Sequence, residues 1–379
     1  MAKSVKNSRT VVYIVGSILI LLSLIRCVEP FSPPEIVSAK RYLVVDGFLN
    51  ANSTEGSQIK LSRTQNVSDK TAPKAELRAK VTVEGDRGSN FTFAETPNGM
   101  YTLTPKAYKD SEKYRVRVKT TDGKEYLSAY VPIVKTPPID SVTYKINPSE
   151  SGVEVFVNTH DPNAATRFYR WSFDETWQYY SALYSGFEVV NKAIELRRED
   201  ISTCWANAKP SKIVLGSSVK LTKDIIQDQQ VTSIPAISGK LRVKYSILVK
   251  QFGLTQEEYE YWTTLSKTTE GTGGLFDPQP SQVTGNITCI NDPSQLVFGY
   301  FSASYQREQR IFVTERLGSR VPCETTDTLT AREVLESIDL IVEEYYPEGS
   351  AIPDYVMGTT NCADCRLQGG VNKRPPFWQ

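Results

Sequence analysis

The chain has 379 residues, with 44 basic against 43 acidic side chains, a net charge of +1 and a single histidine. Balanced charge without a Lys/Arg block offers little for the phosphate-driven affinity of nucleic-acid binding, so no nucleic-acid partner is expected. His160 alone cannot build a His-based metal cage or a convincing Ser-His or Cys-His pair, and neither a catalytic set nor a cofactor is predicted.

Residues 1–26 read as a signal peptide. Lys3, Lys6 and Arg9 precede the uncharged run Val11 to Ile25. At about 1.5 Å per residue that run is too short for a hydrocarbon core roughly 30 Å thick, so cleavage is expected rather than a membrane span. Cys27 follows at once, where an exported lipoprotein is acylated on its thiol and cut. Two or three acyl chains, at about 0.8 kcal/mol per buried methylene, would anchor it to the membrane. Arg26, a bulky cation where a small residue is usual, is expected to slow that processing. Loss of the leader removes four basic residues and no acid, which turns the balance slightly acidic.

Residues 27–40 form the predicted lipidated tether, in which Pro30, Pro33 and Pro34 keep the chain extended. From residue 41 the pattern alternates. Ile59 and Leu61, Val81 and Val83, Phe91 and Phe93, Tyr101 and Leu103, and Tyr114, Val116 and Val118 each put apolar side chains on one face. Turn signals such as Pro97-Asn98-Gly99 and Asp122-Gly123 separate these runs, so 41–136 is predicted to be an immunoglobulin- or fibronectin-like β-sandwich. Lys135-Thr136-Pro137-Pro138 marks its end.

Residues 137–379 are predicted to form a larger β-rich domain with two or so helices. Period-two runs recur at Val142, Tyr144 and Ile146, at Val153, Val155 and Val157, and at Leu241 to Val249. Both predicted helices open on the same device. Thr255 with Glu258, and Thr330 with Glu333, have the spacing of a capping box, and Leu254 can staple onto Tyr259. Gly271, Gly273 and Gly274 follow a helix rather than open one, and are read as a terminator rather than a phosphate cradle.

Tyr169, Trp171, Phe173, Trp177 and Tyr179 share one face of a strand, and period two assigns them to the core. Tyr180 and Tyr184 fall on or beyond the other face and are the candidate partner contacts. Cys204, Cys289, Cys323, Cys362 and Cys365 suit an oxidising compartment, and five thiols leave at least one unpaired. Cys362 and Cys365 lack the second pair a zinc site needs, so a structural disulfide is expected, with Cys323 bonded to one of the two. From the residues alone three roles stay open. They are a binding or accessory lipoprotein, a surface hydrolase of glycan or peptide using two carboxylates about 5 to 10 Å apart, and a structural adhesin-like protein.

The tail Cys362-Ala363-Asp364-Cys365-Arg366-Leu367-Gln368-Gly369-Gly370 through Trp378 resembles the closing signature of a Bacteroidetes lipoprotein family, domain of unknown function 4249. Cys27-Val28-Glu29-Pro30-Phe31, Cys204-Trp205, the run Tyr245 to Gln251, Leu275-Phe276-Asp277-Pro278, Gly285-Asn286-Ile287 and Gly299-Tyr300-Phe301 are similar to it as well. The resemblance implies an outer-membrane, surface-facing lipoprotein, encoded beside TonB-dependent receptors and serving nutrient uptake. The implied partners are such a receptor, the membrane through the lipid anchor, and a small-molecule or peptide ligand of unknown identity. It assigns no catalytic residue.

Overall fold

Alternating side chains make a stable sheet only when the apolar face meets a second layer, and here each run finds one. The computed structural model describes residues 41–52, 54–66, 69–147, 152–269, 283–318 and 322–379. The expectations for the signal peptide, Cys27, the tether and the 271–274 glycines lie outside those residues. Tyr42–Gln65 and Thr71–Gln379 form one unit, and Arg41 with Asn66–Lys70 belong to another, in which Arg41 sits 3.8 Å from Asp69.

The architecture is mainly β, as the alternation predicts. The first part of the chain contributes β1 (Leu43–Asn50), β2 (Ser57–Arg63), β3 (Lys80–Gly85), β4 (Asn90–Thr92), β5 (Ala94–Thr96), β6 (Met100–Leu103), β7 (Lys113–Lys119), β8 (Glu125–Ser128) and β9 (Val131–Val134). The next part supplies β10 (Ile139–Asn147), β11 (Gly152–His160), β12 (Phe168–Tyr180), β13 (Phe187–Val190), β14 (Ala193–Leu196), β15 (Thr203–Ala208), β16 (Val214–Ser217), β17 (Ile225–Pro235) and β18 (Lys244–Leu254). Helix α1 (Gln256–Thr269) follows, then β19 (Ile287–Cys289), β20 (Val297–Phe298), β21 (Ala303–Ser304) and β22 (Arg307–Val313). The last stretch holds β23 (Thr328–Thr330), α2 (Ala331–Val334), β24 (Leu340–Tyr345), β25 (Asp354–Gly358) and α3 (Thr360–Ala363).

β1 to β9 assemble around a core that includes Leu43, Ile59, Leu61, Val81, Tyr101, Tyr114 and Val118. The sheet is not closed by that segment alone. The chain returns after α1, and β20 and β21 lie parallel to β1 while β19 pairs with β8. Phe301, fully buried, enters the same core from the returning segment. Asn286 fastens the return: its Oδ1 accepts from the Phe301 amide at 2.9 Å and its Nδ2 donates to the Phe301 carbonyl at 2.8 Å.

Behind it, the three-stranded sheet β10-β11-β17 faces the five-stranded sheet built on β15-β12-β18-β22. Val153, Val155 and Val157 from one meet Tyr169, Trp171, Phe173, Tyr245 and Val249 from the other. Buried Gln251 ties the layers: it accepts from the Trp171 indole at 2.8 Å and donates to the Pro137 carbonyl and the Thr159 hydroxyl, each at 3.0 Å. The Thr136 hydroxyl, between the two parts, accepts from the Gly253 amide at 2.8 Å, so this junction is itself bonded to β18.

A third lobe packs the sheet β23-β25-β24 and the hairpin β13-β14 around Val334, Ile341, Tyr355 and Met357. Two disulfides bind it. Cys362 and Cys365 do not bond to each other: Cys323 bonds Cys362 and Cys204 bonds Cys365. Cys289, buried in the first core, stays a thiol.

The two predicted helix caps differ. At α2 the Thr330–Glu333 box is complete. At α1 the Thr255 hydroxyl accepts from the Glu258 amide at 3.2 Å, but the Glu258 side chain turns inward and accepts from the Trp262 indole at 3.2 Å. A tertiary contact has drawn it away from the cap.

Candidate functional site

β12 presents its odd-numbered side chains to the core, which leaves Phe168, Arg170, Ser172 and Asp174 on the opposite face. Register pairs Arg170 with Phe252 of β18, so the two side chains stand next to each other on that face. α1 crosses it. Tyr259 lies against Phe168 with ring centroids 4.8 Å apart, and the Arg170 guanidinium sits 4.4 Å from the Trp262 ring and 4.5 Å from the Phe252 ring. From the first sheet, Phe48 of β1 meets Phe252 edge-on at 5.0 Å. These elements enclose a cleft of about 1050 Å³, walled by β1 and β2 on one side, β12 and β18 on another, and α1 with the Gly299–Ser302 segment on the rest.

Arg170 has an unusual environment. Its Nε is sealed from solvent without a hydrogen-bond partner, and among the described residues no carboxylate forms an ion pair with it. Burial pulls its pKa below the ordinary arginine value, against the opposing fields of Glu258 and Asp46. Stacking on two rings suits a guanidinium, which is flat, delocalised and weakly hydrated. Lys250, also on the wall, is already taken by Asp174 at 2.8 Å. Tyr261 and Tyr300 meet at 5.1 Å at the cleft edge. Burial first, then the Asp46 charge, pushes the Tyr261 phenol up to about 12.

Glu258, 3% exposed, lies behind Trp262 rather than on the cleft wall. Burial raises its pKa above the ordinary 4.5, only partly offset by Arg170 and the Trp262 indole. The folded state therefore holds this proton more tightly than the unfolded chain. The stability the group contributes is full below about pH 4.5 and is lost as pH climbs toward the raised folded value. Glu258→Gln does not titrate, so its thermal midpoint minus that of the natural chain is expected to grow with pH across this window. A difference that stays flat or shrinks between about pH 4 and 8 would contradict it.

The aromatic face placed in the core by its period is there: Tyr169, Trp171, Phe173 and Tyr179 are buried and Trp177 partly so. Tyr180 and Tyr184 are 50% and 66% exposed, and neither lines the cleft. Cys323, Cys362 and Cys365 serve the two disulfides described above. His160 is exposed, with Nδ1 2.7 Å from Asp140, whose carboxylate raises its pKa. Sequence reasoning missed the cleft. The available signal was a cation, Arg170, flanked by Tyr169 and Trp171 in an aromatic-rich strand, but its partners Phe252 and Trp262 are remote in sequence.

A family model described as "Domain of unknown function (DUF4249)" matches residues 28–310. No curated protein matches the chain in sequence. Among solved structures, a Salmonella alpha-2-macroglobulin mutant is similar at 10% identity and a TM-score of 0.18, over 87% of this chain and 18% of that one. The chain thus spans under a fifth of that protein's length. The B domain of a biofilm associated protein is similar at 7% identity and a TM-score of 0.16, over 72% and 85%. Neither likeness is close enough to carry an argument.

Proposed function

We propose, from the premise that the chain belongs to the DUF4249 family, that it is a non-enzymatic lipoprotein anchored through Cys27 at the outer membrane, facing the surface, and serving a TonB-dependent transporter as accessory or substrate-binding partner. The observation that carries this reading is the cleft, large enough for a small molecule or short peptide, lined by aromatic rings and holding an arginine without a counter-ion among the described residues. A paired-carboxylate hydrolase draws less support, because Asp46 is the one acid on the cleft wall among the described residues. An adhesin-like element would be expected to present flat, ungrooved surfaces.

The disulfide-tied lobe is the favoured transporter contact. It exposes Tyr184, Leu196, Ile338 and Ile352, large side chains more than half open to solvent, and such surfaces suit protein partners. Changing Tyr180 and Tyr184 together to alanine is expected to weaken transporter binding about tenfold or more while shifting the thermal midpoint by no more than about 2 °C. Pull-down titration and calorimetry on the same preparations check both halves. The overall reading is tested by purifying the tagged full chain from detergent extracts. A large β-barrel receptor should accompany it, and repeated isolation of the chain alone would count against the proposal.

A further inference from the structure

We infer that the cleft takes a monoanionic amphiphile, an apolar body ended by a single carboxylate, with the carboxylate seated on the Arg170 guanidinium. The inference rests on the binding reading above and names its ligand class. A sheltered cation is costly unless it is paired, and the described residues leave partly buried Arg170 without an ion pair; its Nε is sealed from the cleft, so an acceptor would meet the two terminal nitrogens. The fold nonetheless builds a holder for it. Phe252 and Trp262 stack on the guanidinium, and stacking leaves the N–H edge as the place for an acceptor. That planar fork matches the two oxygens of a carboxylate.

The remaining wall sets the rest of the ligand. Phe48, Met100, Leu265 and Phe298 offer apolar contact along the cleft, which suits a hydrocarbon or aromatic body. Lys60 also lines the cleft but is exposed to solvent, so Arg170 is the sheltered positive charge on the wall and suits one negative charge. Lys250 is engaged by Asp174, and the Asp46 carboxylate on the same wall opposes a dianion such as a phosphate monoester.

The test is calorimetric titration of the full chain with decanoate, decanol, decylamine and decyl phosphate at one ionic strength. Saturable binding of decanoate is expected, with decanol and decyl phosphate about 10- to 100-fold weaker and decylamine weaker still. Arg170→Met should lower decanoate affinity to that of decanol while leaving the thermal midpoint equal or higher, because an unpaired, partly buried charge is removed. Arg170→Lys, which keeps the charge without the fork, should fall between. Equal affinity for decanoate and decanol, no saturable decanoate binding, or tighter binding of decyl phosphate would overturn the assignment without any variant. Unchanged decanoate affinity in Arg170→Met would overturn it as well. Loss of anion selectivity while a receptor still co-purifies defeats the cleft assignment alone. Selectivity without a receptor defeats the transporter reading alone.

Discussion

Replacing Cys204 and Cys365 together by alanine is expected to cost about 3–5 kcal/mol and to lower the thermal midpoint by on the order of 10 °C. This crosslink closes a loop of 161 residues, so its loss releases about 1 kcal/mol more unfolded-chain freedom than loss of Cys323–Cys362, whose separation is 39. Both cysteines are fully buried, and the tail hangs on their junction. The Cys365 amide donates to the Ile201 carbonyl at 2.9 Å, the Tyr179 hydroxyl donates to the Cys365 carbonyl at 2.8 Å, and Trp205 and Val371 exchange backbone hydrogen bonds. Alanine at both positions avoids leaving a second free thiol and leaves a gap where the sulfurs were. Thermal unfolding of this variant next to Cys323→Ala/Cys362→Ala, both under non-reducing conditions, checks the order. If the second pair proved the costlier, loop length would not govern the effect.

That pairing illustrates what a sequence of this kind can and cannot reveal. The sequence pointed Cys323 at one of Cys362 and Cys365 without saying which; α3 and the turn that follows aim Cys362 at Cys323 and Cys365 at Cys204, a partner no spacing singled out. Long alternating runs were legible because the period averages over many residues. β7 and β12 are therefore found where the pattern puts them, with Tyr169, Trp171 and Phe173 inward, whereas β18 begins only at Lys244, past Leu241 and Val243, and runs on to Leu254. β19, β20 and β21 are only two or three residues each, too short to show any period, and nothing local says that they return to the first sheet. Their signal is instead in Gly285-Asn286 and Gly299-Tyr300-Phe301, whose purpose shows only once Asn286 is seen holding Phe301. The helix starts divide in the same way. Thr330 and Glu333 are exposed and obey local capping chemistry, whereas Glu258 is drawn to Trp262 under the cleft. Arg170 was hidden for the strongest reason, since the rings that hold it are supplied by β18 and α1.

Gly299→Ala is expected to be among the most damaging single substitutions in the chain, costing about 3 kcal/mol or more. Gly299 has φ +111°, a backbone state that L side chains rarely adopt, and an added Cβ would run into the Val45 carbonyl. The obstacle is the Cβ itself against fixed backbone, so no rotamer change relieves it. Gly299 directly follows β20, which lies parallel to β1, so β1 and the returning segment must separate. Separation exposes Phe301 to water and strains the Asn286 clasp. Tyr300 and Ser302, which flank Phe301, line the cleft, so its wall shifts with them. Chemical denaturation should show the stability loss, and decanoate titration a parallel loss of affinity. Arg170→Met supplies the contrast, since there affinity goes and stability stays. If Gly299→Ala were as stable as the natural chain, the close approach of the returning segment to β1 would be wrong. If it lost stability but bound decanoate fully, the cleft wall would not depend on that approach.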